Sequence, residues 1–314
     1  MINQHTAFVF PGQGSQFVKM GLELAQTFPS ARAIYEGADD LLGIHLSRLS
    51  WEGPEAELND TINTQPALFI HSVAVLTVLQ ELHPGFQPLC VAGHSMGELS
   101  ALVASGALSI SEGLKLVRIR GELMKKAGEI SPGSMAAILG IDIDALEEIC
   151  QQASSQDEIV QVANDNCPGQ VVISGSGPAI ERALELANQA GARRAIRLAV
   201  SIAAHSPLMT HAQQDFNRAV ADAPIRDPRV PLIGNVTAAP LRDALAIRQD
   251  LQAQLTSRVR WTESIQTMAG MGVTTFLELG SGSVLSGLIK RINRSLQTLA
   301  IGDPADFEQL STGA

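Results

Sequence analysis

Ser95 lies in a pentapeptide whose residue types and order suit nucleophilic catalysis. Residues 93–97 read Gly-His-Ser-Met-Gly, follow the apolar run Leu89–Ala92 and precede a small-residue amphipathic segment. This order predicts a strand, a sharp turn and a helix, because a glycine on each side of the serine lets the backbone turn tightly. The Ser95 hydroxyl would then stand over the helix N-terminus, where N–H groups beginning with that of Met96 can stabilise an oxyanion. The alternative is an ordinary turn whose serine caps the helix.

A serine nucleophile needs a base, and the chain offers few histidines for that role. Of the seven histidines, only His205 and His211 follow Ser95. An ordinary α/β-hydrolase carries its acid and then its histidine late in the chain, an order that fits this sequence poorly. His205 falls in a predicted loop, whereas His211 falls inside the helix that follows. We therefore predict that His205 is the base and that His94 is structural, a hydrogen-bonded loop histidine being the alternative for His205.

Arg120 is a cation on the apolar face of a predicted helix over 109–127. Its neighbours at three and four positions on either side are all apolar: Leu116, Val117, Leu123 and Met124. A buried guanidinium is costly unless an anion meets it. The pattern therefore indicates either an internal salt bridge to a structural carboxylate or a bidentate clamp for a substrate carboxylate near Ser95, a geometry that arginine suits.

Two polar stretches follow predicted strands. Residues 11–16, Pro-Gly-Gln-Gly-Ser-Gln, end the first strand, Ala7–Phe10, and place Gln13 where it could supply a second donor to the oxyanion hole. Asn164, Asn166 and Gln170 are predicted to form a polar turn whose amides face a cleft. Taken singly, these residues are also typical of ordinary turns.

The elements that must position these residues follow an α/β order with an insertion. A buried helix is predicted over 65–82, with Pro66 in its first turn. Residues 129–207 are predicted to run strand, helix, strand, strand, helix, strand, which is the ferredoxin-like pattern. The remainder returns to alternating helices and strands. We therefore predict an α/β protein in which residues 1–128 and 208–314 form a large subdomain and residues 129–207 a small inserted one.

Composition excludes several classes of function. The chain has 314 residues, a net charge of −10 and 45% hydrophobic residues, so it can bury a large core but lacks the basic balance of a nucleic-acid-binding protein. Three widely spaced cysteines, with no Cys/His cluster, suggest neither a disulfide framework nor a metal site. We find no signal peptide and no membrane-spanning stretch, so we expect a cytoplasmic protein without membrane or nucleic-acid partners.

Several motifs occur together in an order that resembles one known family. They are Phe8–Gln16, Gly93–Glu98, Arg120-Gly121, Asn164–Gly175, His205 and Asn235–Thr237. Together they resemble the malonyl-CoA:acyl-carrier-protein transacylases, a family that also supplies the acyltransferases of polyketide synthases. The resemblance spans essentially the whole chain.

The resemblance implies a fold and a set of roles. The large subdomain would be hydrolase-like with a parallel sheet, the small one ferredoxin-like α+β, and the active site would lie in the groove between them. Ser95 would be the acylated nucleophile and His205 its base, oriented by a backbone carbonyl. Gln13 and the Met96 N–H would form the oxyanion hole, and Arg120 would bind the malonyl carboxylate. The residues expected around these groups are Asn164, Asn166, Asn235 and Arg260.

The implied reaction is ping-pong. Ser95 would take the malonyl group from malonyl-CoA and pass it to the phosphopantetheine thiol of an acyl carrier protein, with no bound cofactor or metal. Nothing in the sequence demands more than a monomer. Because carrier proteins are acidic, docking would need a local basic patch. The candidate residues are Lys125, Lys126, Arg193, Arg194, Arg197, Lys290 and Arg291.

Two positions depart from the pattern of the family. Arg260 precedes Trp261 at a position where bacterial fatty-acid members often have glutamine. An arginine there is typical of stand-alone acyltransferases that serve polyketide synthases. Ala204 precedes the histidine where malonyl-specific polyketide enzymes often carry phenylalanine, so Ala204 and Met96 are the expected selectivity positions. The alternatives are therefore a polyketide-synthase acyltransferase for a larger unit, an acyl hydrolase that unloads carrier proteins, and a non-catalytic docking subunit.

Overall fold

Six strands build the sheet that carries Ser95. The computed structural model describes residues 3–311. The strands of this sheet are β1 Thr6–Phe10, β2 Val91–Gly93, β7 Leu232–Ile233, β8 Pro240–Leu241, β9 Thr275–Leu279 and β10 Gln297–Ile301. Their order is β10-β9-β1-β2-β7-β8, and all pairings are parallel except that of the short strand β8, which runs antiparallel to β7. The strands β1, β2 and β9 are buried along their whole length, as continuous apolar runs in a parallel sheet should be.

Helices cover both faces of this sheet, and two further helices pack on one face of a second sheet. The helices before the nucleophile are α1 Leu22–Thr27, α2 Pro29–Leu42, α3 Leu46–Glu52, α4 Glu55–Leu58 and α5 Thr61–Leu82. Those that follow it are α6 Gly97–Ala104, α7 Ile110–Ile130, α8 Ile143–Ala153, α9 Gly177–Gln189, α10 Thr210–Asp222, α11 Ala244–Gln254, α12 Trp261–Gly270, α13 Val284–Ile292 and α14 Pro304–Ser311. A 3₁₀ turn, Pro207–Met209, precedes α10.

The helix α5 begins a turn earlier than predicted. Asp60 caps it by accepting the N–H of Ile62, so Pro66 lies inside the helix rather than in its first turn. Proline cannot donate to the carbonyl four residues back, and the Arg118 guanidinium donates to that Ile62 carbonyl instead, at 3.1 Å. By length and composition α5 could cross a membrane, but 83% of its apolar window is buried inside the protein. It is the central helix of the larger core.

The helix α7 presents Arg120 to the interior. Its N-terminus has the predicted capping box, in which Ser109 accepts the N–H of Glu112 while the Glu112 side chain accepts that of Ser109. The buried face of α7 is apolar apart from Arg120, whose side chain is 1% exposed. The helix therefore fixes a cation within the core.

The second sheet is antiparallel and confirms the ferredoxin-like prediction. Its strands are β3 Ser134–Leu139, β4 Val160–Cys167, β5 Gln170–Gly175 and β6 Arg194–Arg197, in the order β4-β5-β3-β6. The helices α8 and α9 pack on one face around a separate apolar core. The predicted polar turn is wrong in one respect: Asn164 and Asn166 lie within β4, and the chain reverses at Pro168 and Gly169, whose φ of 71° suits glycine.

Candidate active site

The strand β2 and the helix α6 place Ser95 on a strained turn. Ser95 has a φ of 52°, a conformation that non-glycine residues rarely adopt and that is common at functional sites. Both flanking glycines are required by space. A Cβ on Gly93 would lie 1.9 Å from the carbonyl carbon of Gly97, and one on Gly97 would lie 2.2 Å from the carbonyl oxygen of Phe10. The predicted nucleophile turn is therefore present, held tightly against β1.

Asn235 fixes this turn from outside. Its side-chain oxygen accepts the Ser95 N–H at 2.7 Å, and its amide donates to the Gly93 carbonyl at 2.7 Å. The backbone carbonyl of Asn235 in turn accepts the N–H of Arg260 at 3.0 Å. One buried asparagine therefore ties both ends of the serine turn to the segment that follows β7.

His205 meets Ser95 in the geometry of a general base. The Ser95 hydroxyl oxygen lies 2.8 Å from His205 Nε2, while Nδ1 faces the backbone carbonyls of Gln254 at 2.9 Å and Ser257 at 3.2 Å. Because carbonyl oxygens only accept, Nδ1 carries the ring proton and Nε2 is left to accept the serine proton. Burial, followed by the nearby Arg120 charge, lowers the pKa of His205 to about 3. The histidine is therefore neutral and able to act as a base across the physiological range.

Arg120 reaches the same hydroxyl. Its Nη2 lies 3.0 Å from Ser95 Oγ, its Nη1 donates to Gln65 Oε1 at 2.8 Å, and Nε and Nη2 both donate to Gln254 Oε1. Among residues 3–311 no carboxylate lies within 4.0 Å of the guanidinium, so the salt bridge considered from the sequence is not formed. Burial lowers the pKa of Arg120 to about 10, against the opposing effect of Glu98. A buried cation is thus held by neutral amides beside the nucleophile.

A pair of buried carboxyl groups supports Gln254. The Gln254 amide donates to the Ser95 carbonyl at 3.1 Å and to Glu98, and the Glu98 carboxyl also contacts that of Asp250. Burial, followed by the Asp250 charge, raises the pKa of Glu98 well above its ordinary value. Asp250 accepts hydrogen bonds from both N–H groups of Val236 and Thr237. Glu98 therefore links α6 to α11, and its hydrogen bond with the Gln254 amide leaves the Gln254 oxygen free for Arg120.

The two expected oxyanion donors lie at the correct end of the sheet. Met96 is buried, and its N–H donates to no acceptor among the described residues. The loop that carries Gln13 packs against the serine turn, since a Cβ on Gly12 would lie 2.5 Å from the carbonyl oxygen of His94. The Gln13 side-chain oxygen accepts the hydroxyl of Thr61 at 2.9 Å, so the side chain points toward α5. Among the described residues no acceptor meets the backbone N–H or the side-chain nitrogen of Gln13, so both are left to donate to an oxyanion.

The remaining predicted residues have supporting positions. His94 Nε2 lies 2.8 Å from the Asn166 side-chain oxygen, and its ring meets Trp261 edge-on. Asn164 is buried in β4, beside a parallel bridge to Val259. The Arg260 side chain pairs with Glu263 and is partly exposed, so only its backbone reaches the site. Ala204 is half-buried and packs against the larger core.

Sequence reasoning missed two glutamines that hold Arg120. Gln65 and Gln254 are both buried, on α5 and α11. A signal was present on α11, because Ile247, Leu251 and Gln254 follow the helical period and belong to one buried face. A polar residue on such a face needs a buried partner, as Arg120 does on α7.

The fold and the site together define a class of protein. A parallel α/β sheet presents a serine at a strand–helix turn, and a neutral histidine is placed to accept its proton. The Met96 N–H stands at the helix N-terminus, and the loop that carries Gln13 packs against the same turn. A nucleophile, a base and oxyanion donors are the groups required for acyl transfer through an acyl-serine. The arrangement points to a serine-dependent acyltransferase or hydrolase.

Comparison with known proteins places the chain within that class. Residues 7–302 match the acyl transferase domain, and the chain belongs to this family. It is 47% identical over 302 residues to the malonyl CoA-acyl carrier protein transacylase of Bacillus subtilis, covering 96% of this chain and 95% of that protein. The resemblance predicted from the motifs is confirmed.

Solved structures agree with this placement. An acyl carrier protein S-malonyltransferase from Vibrio cholerae is 41% identical, with a TM-score of 0.94, over 98% of this chain and 99% of that one. A malonyl-transacylase solved in complex with its type II polyketide acyl-carrier protein is also 41% identical, with a TM-score of 0.93, over 97% of this chain and 98% of that one. The high structural similarity to these proteins confirms the predicted fold class.

Proposed function

We propose that this chain transfers a malonyl group from malonyl-CoA to the phosphopantetheine thiol of an acyl carrier protein. The observation that carries the proposal is Arg120, a buried guanidinium without a carboxylate partner, 3.0 Å from the Ser95 hydroxyl oxygen. Such a cation favours an acyl group that brings its own carboxylate. The names of the relatives in Bacillus subtilis and Vibrio cholerae support the same substrate.

The first half-reaction acylates the serine. Ser95 Oγ attacks the thioester carbonyl while His205 Nε2 takes its proton, and the oxyanion forms against the N–H groups of Met96 and Gln13. Collapse of this intermediate breaks the carbon–sulfur bond, and the imidazolium returns the proton to the departing thiolate of coenzyme A. The Arg120 guanidinium binds the malonyl carboxylate throughout and fixes the acyl group against the nucleophile.

The second half-reaction reverses these roles. The carrier-protein thiol gives its proton to His205 as its sulfur attacks the acyl-serine carbonyl. The intermediate then collapses, the bond to Ser95 Oγ breaks, and His205 returns the proton to the serine. The acyl group is carried by Ser95 itself, so the mechanism calls for no bound cofactor.

A transfer assay tests this function against hydrolysis. The chain, malonyl-CoA and phosphopantetheinylated carrier protein are mixed, and the mass of the carrier is followed with and without Ser95→Ala. The proposal expects malonyl-carrier that depends on Ser95, with methylmalonyl-CoA as a second donor that tests the room left by Ala204. Steady release of coenzyme A without carrier acylation would instead identify a hydrolase.

The carrier protein requires a basic docking surface on this acidic chain. On α13, Lys290 and Arg291 are exposed, and Arg291 donates to the Gln170 side chain on the β4–β5 hairpin. The same hairpin carries Asn166, which contacts His94 beside the nucleophile. We therefore propose that the docking surface lies at Lys290 and Arg291, near the hairpin that joins the two sheets.

Charge reversal at Arg291 tests this surface. Arg291→Glu should raise the KM for carrier protein roughly fivefold, because it removes one attraction and adds a repulsion at the rim. The KM for malonyl-CoA should not change. Arg193→Glu, on an exposed loop of the small sheet, is the matched control and should change neither constant. Equal effects of Arg291→Glu on both substrates, or no effect, would place docking elsewhere.

A further inference from the structure

Gln161 reaches from the small sheet into the base of the active site. It lies on β4, is partly buried, and its side-chain nitrogen donates to the backbone carbonyl of His205 at 2.8 Å and to that of Thr256 at 3.1 Å. Since both partners are carbonyl oxygens, only the NH₂ end of the amide can face them. The orientation of this side chain is therefore fixed by its surroundings.

Both acceptors belong to the segments that orient the catalytic histidine. His205 has a φ of 58°, a strained conformation for a residue with a Cβ, so its backbone needs outside support. Thr256 lies between Gln254 and Ser257, whose carbonyls accept the His205 Nδ1 proton. One amide thus joins the backbone of the base to the turn that holds its ring.

The strand β4 holds that turn at a second place. The Val259 N–H donates to the Ala163 carbonyl at 2.8 Å, and the Asp165 N–H donates to the Val259 carbonyl at 2.9 Å. The turn at 254–257 is therefore anchored to the small sheet just beyond its end. The position of the histidine acceptors depends on the small sheet as well as on α11.

We propose that Gln161 is a positioning residue through which the small sheet holds His205 in its reactive orientation. The inference rests on the proposed serine–histidine mechanism and extends it. The ability of His205 Nε2 to accept the Ser95 proton would then depend on contact between the two sheets. Loss of both hydrogen bonds should lower kcat without changing the KM for malonyl-CoA, since the hydrogen bonds of Gln161 go to His205 and Thr256 and not to Arg120.

His205 is the titratable residue that Gln161 contacts, and the charged side chains near position 161 have other partners. Val160 and Val162 point into the core beneath α8 and α9, so position 161 faces the opposite side of the small sheet. Arg258, close to Thr256 in the chain, pairs with Glu147 and Glu263. On α13, the Lys290 ammonium group donates to the Leu296 carbonyl, and Arg291 is bound to Gln170.

The test uses the rate at which a fluorophosphonate probe labels Ser95, which reports serine activation without any acyl substrate. Gln161→Met should slow labelling about tenfold at every pH, because both hydrogen bonds are lost. Gln161→Glu should slow it at least about tenfold near pH 8, where a carboxylate would face two carbonyl oxygens. Two facing carbonyl oxygens and partial burial should raise the pKa of a carboxyl at position 161. Near about pH 5.5 its protonated form can donate to one of the two carbonyls, so the rate should recover to within about threefold of the unaltered chain.

Gln151→Glu is the matched control, since Gln151 is exposed on α8 of the same part of the chain. It adds the same charge and should label like the unaltered chain at both pH values. Thermal melts of all variants separate misfolding from misorientation. Labelling of Gln161→Glu within twofold of the unaltered chain near pH 8, or an equal loss at both pH values, would overturn the inference. Failure of malonyl transfer by the unaltered chain would count against the proposed function alone.

Discussion

Arg120→Ala is expected to slow malonyl transfer at least about a hundredfold while acetyl transfer stays unchanged or becomes faster. The guanidinium lies 3.0 Å from Ser95 Oγ and has no carboxylate partner within the described chain, so its loss removes the partner of the substrate carboxylate. A buried charged hydrogen bond contributes about 3 kcal/mol, which corresponds to two orders of magnitude. Acetyl groups bring no carboxylate and lose nothing.

The measurement is kcat/KM for malonyl-CoA and acetyl-CoA with the same carrier protein. Arg118→Ala is the control on the same helix, because Arg118 binds Glu122 and the Ile62 carbonyl and donates to neither Ser95 nor Gln254. It should leave the ratio of the two rates unchanged. A parallel fall of malonyl and acetyl rates in Arg120→Ala would show that Arg120 supports the fold of the site and does not bind the carboxylate.

His205→Ala is expected to lower acyl transfer by about three orders of magnitude, the range of general-base catalysis to a positioned serine. Burial and the Arg120 charge lower the pKa of His205 to about 3, well below the ordinary value of 6.5. A lowered pKa means that more acid is needed to protonate the base. The rate of Ser95 acylation should therefore remain nearly constant from about pH 8 to about pH 5.

The pH profile of acylation checks this account, with His211→Ala as the control because His211 is exposed on α10. The control should match the unaltered chain at all pH values. In Arg120→Ala the acid limb should move to higher pH, since the Arg120 charge, one of the causes that lower the pKa of His205, is then absent. An acid limb near pH 6.5 in the unaltered chain would mean that the histidine is not buried as described.

Local features of the site could be predicted because each depends on residues that are close to it in the sequence. The glycines beside Ser95 predicted the tight turn, since any side chain there would collide with the backbone. The apolar neighbours of Arg120 predicted its burial, because the helical period alone places it on the inner face of α7. The order of strands and helices around the small sheet was also predicted from the local pattern of apolar and polar residues.

Contacts between distant segments could not be predicted from periodicity or spacing. Asn235 was expected near the site, but its hold on both ends of the serine turn depends on the packing of β7 beside β2. Gln161 lies on β4 and Gln254 at the end of α11. They meet His205 only because the fold brings these distant segments together. The expected polar turn at 164–170 was wrong because the chain continues as a strand to Cys167. Polar side chains inside a strand resemble a turn in the sequence.

The most direct test of the central claim is the intact mass of the chain after separate incubation with malonyl-CoA, methylmalonyl-CoA and acetyl-CoA, without carrier protein. The account predicts a malonyl adduct on the unaltered chain, absent from Ser95→Ala, and removed when phosphopantetheinylated carrier protein is added. A stable malonyl adduct that survives in Ser95→Ala, or coenzyme A release without any adduct, would contradict transfer through an acyl-serine.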